Sequence, residues 1–243
     1  MEREDRGRLA FSEISNYDEF LSALELAGMT PGGVNGEGVF TLCGFFGSAV
    51  RWHTGDPDTD PWEWRMRVLS EGRGIAYGKF YYGKSGYLTR KWFPYLLAVR
   101  RGKSSFEELF AGDEAARRIY TLIRDNGRLS LHMLKLLGFF SREEKSDFER
   151  ALTALQSSLF LTMCGQERKL SKEGREYGWN STVFCLTEEF FGEESFHEAA
   201  ALSSQNAFET LDRHLLRLNP EADASRSCLL YTSPSPRDRQ KSR

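Results

Sequence analysis

Between Trp52 and Arg65 the chain reads WHTGDPDTDPWEWR, which sets His53, Asp56, Asp58, Asp60 and Glu63 among tryptophans. An imidazole and several carboxylates beside aromatic rings are the groups from which a general-base pocket is built. In that reading His53, Asp56, Asp58 or Asp60 positions a water molecule for attack. The competing reading is a turn made of Asp caps and proline, with the tryptophans packed inside. The alternation of Asp56, Asp58 and Asp60 matches the opening of a calcium loop, but position six needs glycine and holds Pro61, and position twelve holds Arg67 instead of glutamate.

A second set of chemically able residues lies further on. The polar stretch after Cys164 carries Arg168, Lys169, Lys172 and Arg175 against Glu167, Glu173 and Glu176. Such a loop suits phosphate contact, or it is a solvated charged tip. The helical pattern before it presents Arg142, Lys145, Arg150, Thr153 and Gln156, with Glu143, Glu144, Asp147 and Glu149 alongside. Acidic residues in a first turn suit the helix dipole, yet they also repel phosphate. Lys145, Arg150 and Gln156 are the expected nucleic-acid contacts on this helix, joined by Arg168, Lys169, Lys172 and Arg175 from the loop. No phosphate-binding glycine loop, dinucleotide fingerprint, zinc spacing or hydrolase elbow is present, so no metal and no cofactor is expected. Cys164 and Cys185 sit inside β-type runs and read as small buried apolar residues.

The 243 residues are 40% hydrophobic and 28% charged, enough for a real core. No apolar run reaches the length of a membrane span; the longest, residues 39–50, is interrupted by Gly44 and Gly47. The charged first residues are followed by no signal core, so the expected location is cytoplasmic, with no membrane partner. The final residues, CLLYTSPSPRDRQKSR, lack hydrophobic periodicity and read as a translated sequencing adapter at 228–243, with the natural chain diverging after about Ser225. Arg237, Arg239, Lys241 and Arg243 against Asp238 give that stretch +3, so the chain's net −2 leaves −5 for the rest. So acidic a body does not bind polyanions indiscriminately; contact with DNA has to come from a local basic patch.

The elements that must position these groups follow from period and punctuation. Asn16 caps a helix over 17–27 that Gly28 stops. Residues 39–50 read as strand or buried helix. Asp60 and Pro61 start another helix, in which Trp62 and Trp64 cannot share a face. Residues 75–82 are β-like and meet residues 87–88 through a four-residue turn at 83–86. Thr89 caps a helix over 90–100 whose start Pro94 distorts. Helices follow over 115–125, from Ser130 with Leu134 and Leu137 inward, and from a Ser141–Glu144 capping box to about Ser157. Strands over 159–164 and 182–186 flank the polar loop, and one last helix spans 195–218. Three helices followed by a hairpin with a long polar tip give the winged-helix order.

The expected fold is therefore α+β: a flexible 1–14, an α+β half over 15–112 that can also be read as a degenerate winged-helix-like unit in tandem, a winged-helix domain with its C-terminal helix over 113–218, and a disordered 219–243. The partner this order suggests is double-stranded DNA; a protein partner, met by aromatics such as Trp179, is the other reading.

WHTGDPDTDPWEWR, then AYGKFYYGKSGYLTRKWFPY, then ERALTALQ with YGWNSTVF, together resemble the bacterial AlkZ-related proteins over about residues 15–215. The resemblance implies tandem winged helices and kinship with DNA glycosylases that remove alkylated bases and unhook interstrand crosslinks without a metal or redox cofactor. Their catalytic pair is Gln-x-Gln or Gln-x-Asp in the N-terminal half. The glutamines here are Gln156, Gln166, Gln205 and Gln240, none two residues from another Gln or from Asp in that pattern, so no catalytic position carries over. If both halves are winged-helix units, the hairpin at 83–86 is the counterpart of the wing. Lys79, Lys84, Arg90 and Lys91 would then line one concave surface with the wing cations, with His53 and Asp56 at its floor.

Overall fold

The computed structural model describes residues 9–34, 39–168 and 180–222. Helix α1 (Tyr17–Ala27) starts where the Asn16 side chain accepts the Glu19 N–H at 3.0 Å. It stops at Gly28, whose φ is +72°; a Cβ there would meet the Trp92 indole at 2.1 Å, so the reversal and the close approach both demand glycine. Strand β1 (Met29–Pro31) follows. Residues 39–50 form neither strand nor α-helix: they hold one 3-10 turn, Leu42–Phe45, started by Thr41. Helix α2 (Pro61–Ser70) opens at Asp60 with Pro61 in its first turn, burying Trp64 and leaving Trp62 exposed.

Strands β2 (Ile75–Tyr81) and β3 (Lys84–Thr89) are joined by Tyr82 and Gly83, with φ of +51° and +73°. These are the two left-handed positions of a two-residue hairpin turn, which matches strand twist better than the four-residue loop expected at 83–86. Lys84 therefore opens β3, opposite Tyr81. Helix α3 (Phe93–Arg100) begins three residues later than expected, because Thr89 still belongs to β3 and its buried hydroxyl has no hydrogen-bond partner. Pro94 falls in the first turn, where a missing N–H costs nothing and no distortion follows. The short α4 (Phe106–Leu109) carries a reciprocal Ser105–Glu108 box.

Helix α5 (Glu114–Asn126), strand β4 (Leu129–Ser130) and helix α6 (Leu131–Leu137) lead into α7 (Lys145–Ser157). Ser130 makes no capping bond; its hydroxyl meets His132 Nδ1 at 2.9 Å. Leu134 is buried as expected, whereas Leu137 is exposed. Ser141 and Glu144 exchange bonds of 2.9 and 3.4 Å just ahead of α7. Strands β5 (Leu161–Glu167) and β6 (Ser181–Leu186) form the second hairpin, and α8 (Thr187–Phe191) follows. The single helix expected over 195–218 is two, α9 (Glu193–Ala201) and α10 (Ser204–Leu218). They are separated at Leu202–Ser203, where the Ser203 hydroxyl accepts the Asn206 N–H and caps a fresh start.

The six strands among the described residues belong to one sheet in the order β1-β3-β2-β5-β6-β4. That order is a palindrome. The first half runs helix, strand, 3-10 turn, helix, hairpin; the second runs helix, strand, helix, helix, hairpin; each contributes its three strands in mirrored sequence. The halves join where β2 and β5 pair antiparallel through Tyr77 and Met163, and each half's last helix before its hairpin packs on the other half's central strand, α2 on β5 and α7 on β2. This is an α+β architecture compatible with a winged-helix fold.

Two aromatic clusters fill the core. In the first half Phe20 stacks on Trp64 at 4.8 Å and meets Tyr87 edge-on. In the second, Phe160 takes Phe106, Phe110 and Tyr120 against its ring. Between them the seam is polar and satisfied: Lys79 N–H donates to Gln156 Oε1 at 3.1 Å, Ser157 Oγ donates to the Lys79 carbonyl at 2.8 Å, and Arg100 Nη1 donates to the Ser157 carbonyl at 3.0 Å. Among the described residues no helix is long and apolar enough to cross a membrane.

Candidate nucleic-acid interface

The hairpins leave the sheet at opposite ends. Because β2 and β5 run antiparallel through Tyr77 and Met163, β2 climbs to its turn at Tyr82–Gly83 while β5 descends toward Glu167 and the wing. Lys79 and Lys84 therefore stand at the end where α7 finishes, and a Cβ on Gly83 would lie 3.7 Å from Thr153 of that helix. Thr89 faces Ile75, so Arg90 and Lys91, just beyond β3, stand at the wing end with Arg168. The single concave surface expected from both hairpins does not form. What the sheet gathers instead is Arg73, Arg90, Lys91 and Arg168 at one end, with β3 two strands from β5, a spacing of about 10 Å across the sheet. Arg73 escaped the sequence reading; its signal is a cation inside the Gly72–Gly74 turn that leads into β2. It pairs with Glu71 at 3.0 Å and Glu25 at 3.8 Å. Lys169, Lys172, Arg175 and Trp179 lie outside the described residues.

The helix residues divide. Lys145 is exposed, 4.0 Å from Glu149. Arg150 forks onto Asp113 at 2.7 and 3.3 Å, and that bond, more than the charge of Asp147, pushes its basicity up. Gln156 is only 2% exposed; its amide donates to the Leu152 carbonyl at 3.0 Å and accepts the Lys79 N–H, so it has no edge left for a base. Around Arg150, a cavity of about 400 Å³ is lined by Asp113, Glu114, Glu144 and Asp147 against two arginines. Both arginines are committed, Arg118 to Glu144 and Arg150 to Asp113, so this recess repels phosphate.

The turn from Trp52 to Asp60 is organised by one buried carboxylate. Asp60 Oδ2 accepts the N–H groups of Thr54 at 2.7 Å and Gly55 at 2.9 Å, while Oδ1 accepts that of Trp62 at 2.8 Å. Burial pushes the Asp60 carboxyl up, but these N–H groups and that of His53 outweigh it and hold it below the ordinary carboxylate range. Asp56 is held low in the same way, chiefly by the Asp58 N–H at 2.9 Å and then by the Thr59 hydroxyl at 2.8 Å. Carboxylates stabilised as anions by backbone donors are poor proton acceptors, and a general base near neutral pH needs the opposite shift. His53 sits at φ +61° on the exposed turn, its ring 5.0 Å from that of Trp62, whose indole also carries the Arg65 guanidinium at 3.6 Å. Asp58 is exposed and contributes its carbonyl to the Trp64 indole N–H at 3.2 Å. The bonds of Asp56 and Asp60 suit the turn reading, in which these two carboxylates shape a cap and Trp64 is core.

One feature that hydrophobic periodicity does not reveal is an apolar projection between α6 and α7. Phe139 is 87% exposed at φ +51°, beside Leu136 at 64% exposed and the exposed Leu137. Its only sequence signal is the Gly138-Phe139-Phe140 run, where Phe140 folds back onto Phe148 and Phe139 is left outside.

The fold is an α+β architecture compatible with the winged-helix class. The chain matches the AlkZ-related family over residues 14–230 and belongs to it. That membership links the chain, at the level of the family, to nucleic-acid binding in DNA repair. Neither a curated protein nor a solved structure matches it.

Proposed function

We propose that this chain is a double-stranded-DNA-binding protein of the AlkZ-related family, serving DNA repair or its regulation, in which two winged-helix units share one sheet. The observation that carries the reading is the palindromic sheet, each half of which is a helix–strand–helix–hairpin unit. The first unit is the degenerate one: a 3-10 turn replaces its middle helix, and its hairpin closes in two residues. The second keeps the full order and the basic loop. DNA then lies at the wing end of the sheet, touched by Arg168, Lys169, Lys172 and Arg175, with Arg90 and Lys91 reaching neighbouring phosphates.

The test is a fluorescence-anisotropy titration of a labelled duplex against the variant in which Arg168, Lys169, Lys172 and Arg175 are all alanine. Each lost phosphate contact flattens the plot of log affinity against log salt by about 0.9. A slope reduced by roughly 2–4 supports the wing assignment; unchanged affinity and slope refute it.

A base-excising activity has less support. His53 and Asp56 would need to sit at the floor of a groove between both hairpins, and the hairpins point apart. The exposed Leu136, Leu137 and Phe139 favour a second reading, a winged-helix module that meets a protein. Replacing all three with serine separates the readings: a DNA reader keeps its duplex affinity, whereas a protein-docking module loses its partner.

A further inference from the structure

Helix α6 closes with a residue that its geometry disfavours. Gly138 caps the helix; beyond it the Phe139 N–H donates to the Leu136 carbonyl at 3.2 Å and the Phe140 N–H to the Lys135 carbonyl at 3.1 Å. This pair of bonds ends helices that reverse through one left-handed residue, a place ordinarily taken by glycine and sometimes by asparagine. Here Phe139 takes it, at φ +51°. A side chain in that conformation is strained, and such strain persists where the surroundings offset it. Packing does not offset it: the Phe139 ring is 87% exposed, with Leu136 at 64% and Leu137 at 38% beside it. The turn itself is held from behind. Phe140 packs edge-on against Phe148 at 4.7 Å, and the Arg118 guanidinium lies 4.0 Å over the Phe140 ring. Arg118 also donates to the Gly138 carbonyl and, at 2.6 Å, to Glu144. Through Arg118 the turn adjoins the cavity of about 400 Å³, where Asp113, Glu114, Glu144 and Asp147 face Arg118 and Arg150, a net charge of −2. Arg142 and Lys145 are exposed nearby, but neither lines the cavity.

We propose that the turn between α6 and α7 docks a lysine- or arginine-rich segment of another protein. Apolar side chains of that segment cover Leu136, Leu137 and Phe139, and its cations enter the adjoining cavity. This deepens the protein-docking reading given above and rests on it, naming the chemistry of the partner. Charge selects the occupant. Four carboxylates beside the ring turn phosphate away, which disfavours a DNA base step wedged open by Phe139. A two-fold contact with a second copy would set one negative cavity against its equal. A basic segment answers both features at once, because its cations meet carboxylates that the two arginines leave in excess. An exposed aromatic ring in a fixed turn loses little freedom on binding, which suits it as the anchor of such an interface.

Random short peptides displayed on phage are panned on the immobilised full chain, with counter-selection on the Phe139→Gly variant, and the enriched sequences are synthesised and titrated. They should combine Lys or Arg with Leu, Ile, Phe or Trp. Phe139→Gly should weaken their binding about tenfold or more, and Glu114→Gln with Asp147→Asn by roughly twofold to fivefold. Phe139→Gly should also raise the urea midpoint, because glycine relieves the left-handed turn, and should leave duplex affinity at the parent value. No enrichment on the parent over the variant would remove the protein-docking reading and this proposal together. Phe139-dependent peptides without Lys or Arg would keep the docking reading and overturn the basic partner. Lower duplex affinity for Phe139→Gly would assign the ring to DNA, Phe139-dependent dimers in analytical ultracentrifugation would assign it to a second copy, and a lower urea midpoint would make it part of the fold; each overturns the proposal.

Discussion

The β2–β3 and β5–β6 hairpins are the same supersecondary unit put to different uses. The first ends in a tight two-residue turn beside α7, and its backbone is tied into the seam through Lys79, Gln156 and Ser157. The second pairs as far as Glu167 and Ser181, with Arg168 just beyond its last described strand residue. An antiparallel junction between two equivalent strands places a pseudo-two-fold axis at their centre, and such an axis sends equal projections in opposite directions. The first hairpin is spent on cohesion between the halves, and the proposed DNA contact falls to the other.

Four predictions break or sharpen that contrast. The largest effect belongs to the first half's core. Trp64→Ala should cost about 3–5 kcal/mol in denaturant unfolding, whereas Trp62→Ala, two residues away and exposed, should cost less than about 1 kcal/mol. Equal costs would mean that α2 is not seated as described. Next, His214 is buried beneath Trp92, 3.8 Å ring to ring, and hydrogen-bonds to the Ala27 carbonyl at 2.7 Å. Burial, against that bond, lowers its pKa from 6.5 to about 4. The unfolded chain therefore takes up the proton first. Its contribution to stability is full above pH 6.5, declines as pH falls, and has dropped by at most about 3 kcal/mol near pH 4. Urea midpoints that stay flat between pH 7 and 4.5, or His214→Phe retaining the same decline, would refute this.

Gln156→Leu tests the seam itself. It leaves the Lys79 N–H without its acceptor and should cost about 1–3 kcal/mol while leaving duplex affinity at the parent value. A loss of affinity with little loss of stability would restore Gln156 to the reading face. Arg150→Ala should have the smallest effect, about 1 kcal/mol or less, since its own side chain is 48% exposed and Asp113, itself 10% exposed, keeps the Ala116 N–H as a partner.

Local punctuation was legible in the chain: Asn16 and Gly28, and Asp60 with Pro61, delimit elements as expected, while the Ser141–Glu144 bonds form in a turn ahead of α7, which starts at Lys145. So was the split between Trp62 and Trp64, because a 3.6-residue period cannot bury both. What escaped depends on pairing across long stretches of chain. Tyr77 meeting Met163 leaves no mark in either segment, and β4 is only two residues long. The palindrome, and with it the direction of each hairpin, is set by that register. The roles of Asp60 and Gln156 were misread for a related reason. Polar side chains that satisfy buried backbone donors look, in sequence, like groups waiting for a ligand.

The most direct measurement compares the two ends of the sheet on equal terms. Arg90→Ala with Lys91→Ala removes two exposed cations at the wing end; Lys79→Ala with Lys84→Ala removes the half-buried Lys79 and the exposed Lys84 at the hairpin end. Duplex affinity is titrated over a range of salt for both double variants and the parent. The wing-end variant should bind more weakly, with a salt slope flatter by up to about 2, and the hairpin-end variant should match the parent. An equal or greater loss from Lys79 and Lys84 would place the nucleic acid at the other end of the sheet and contradict the account.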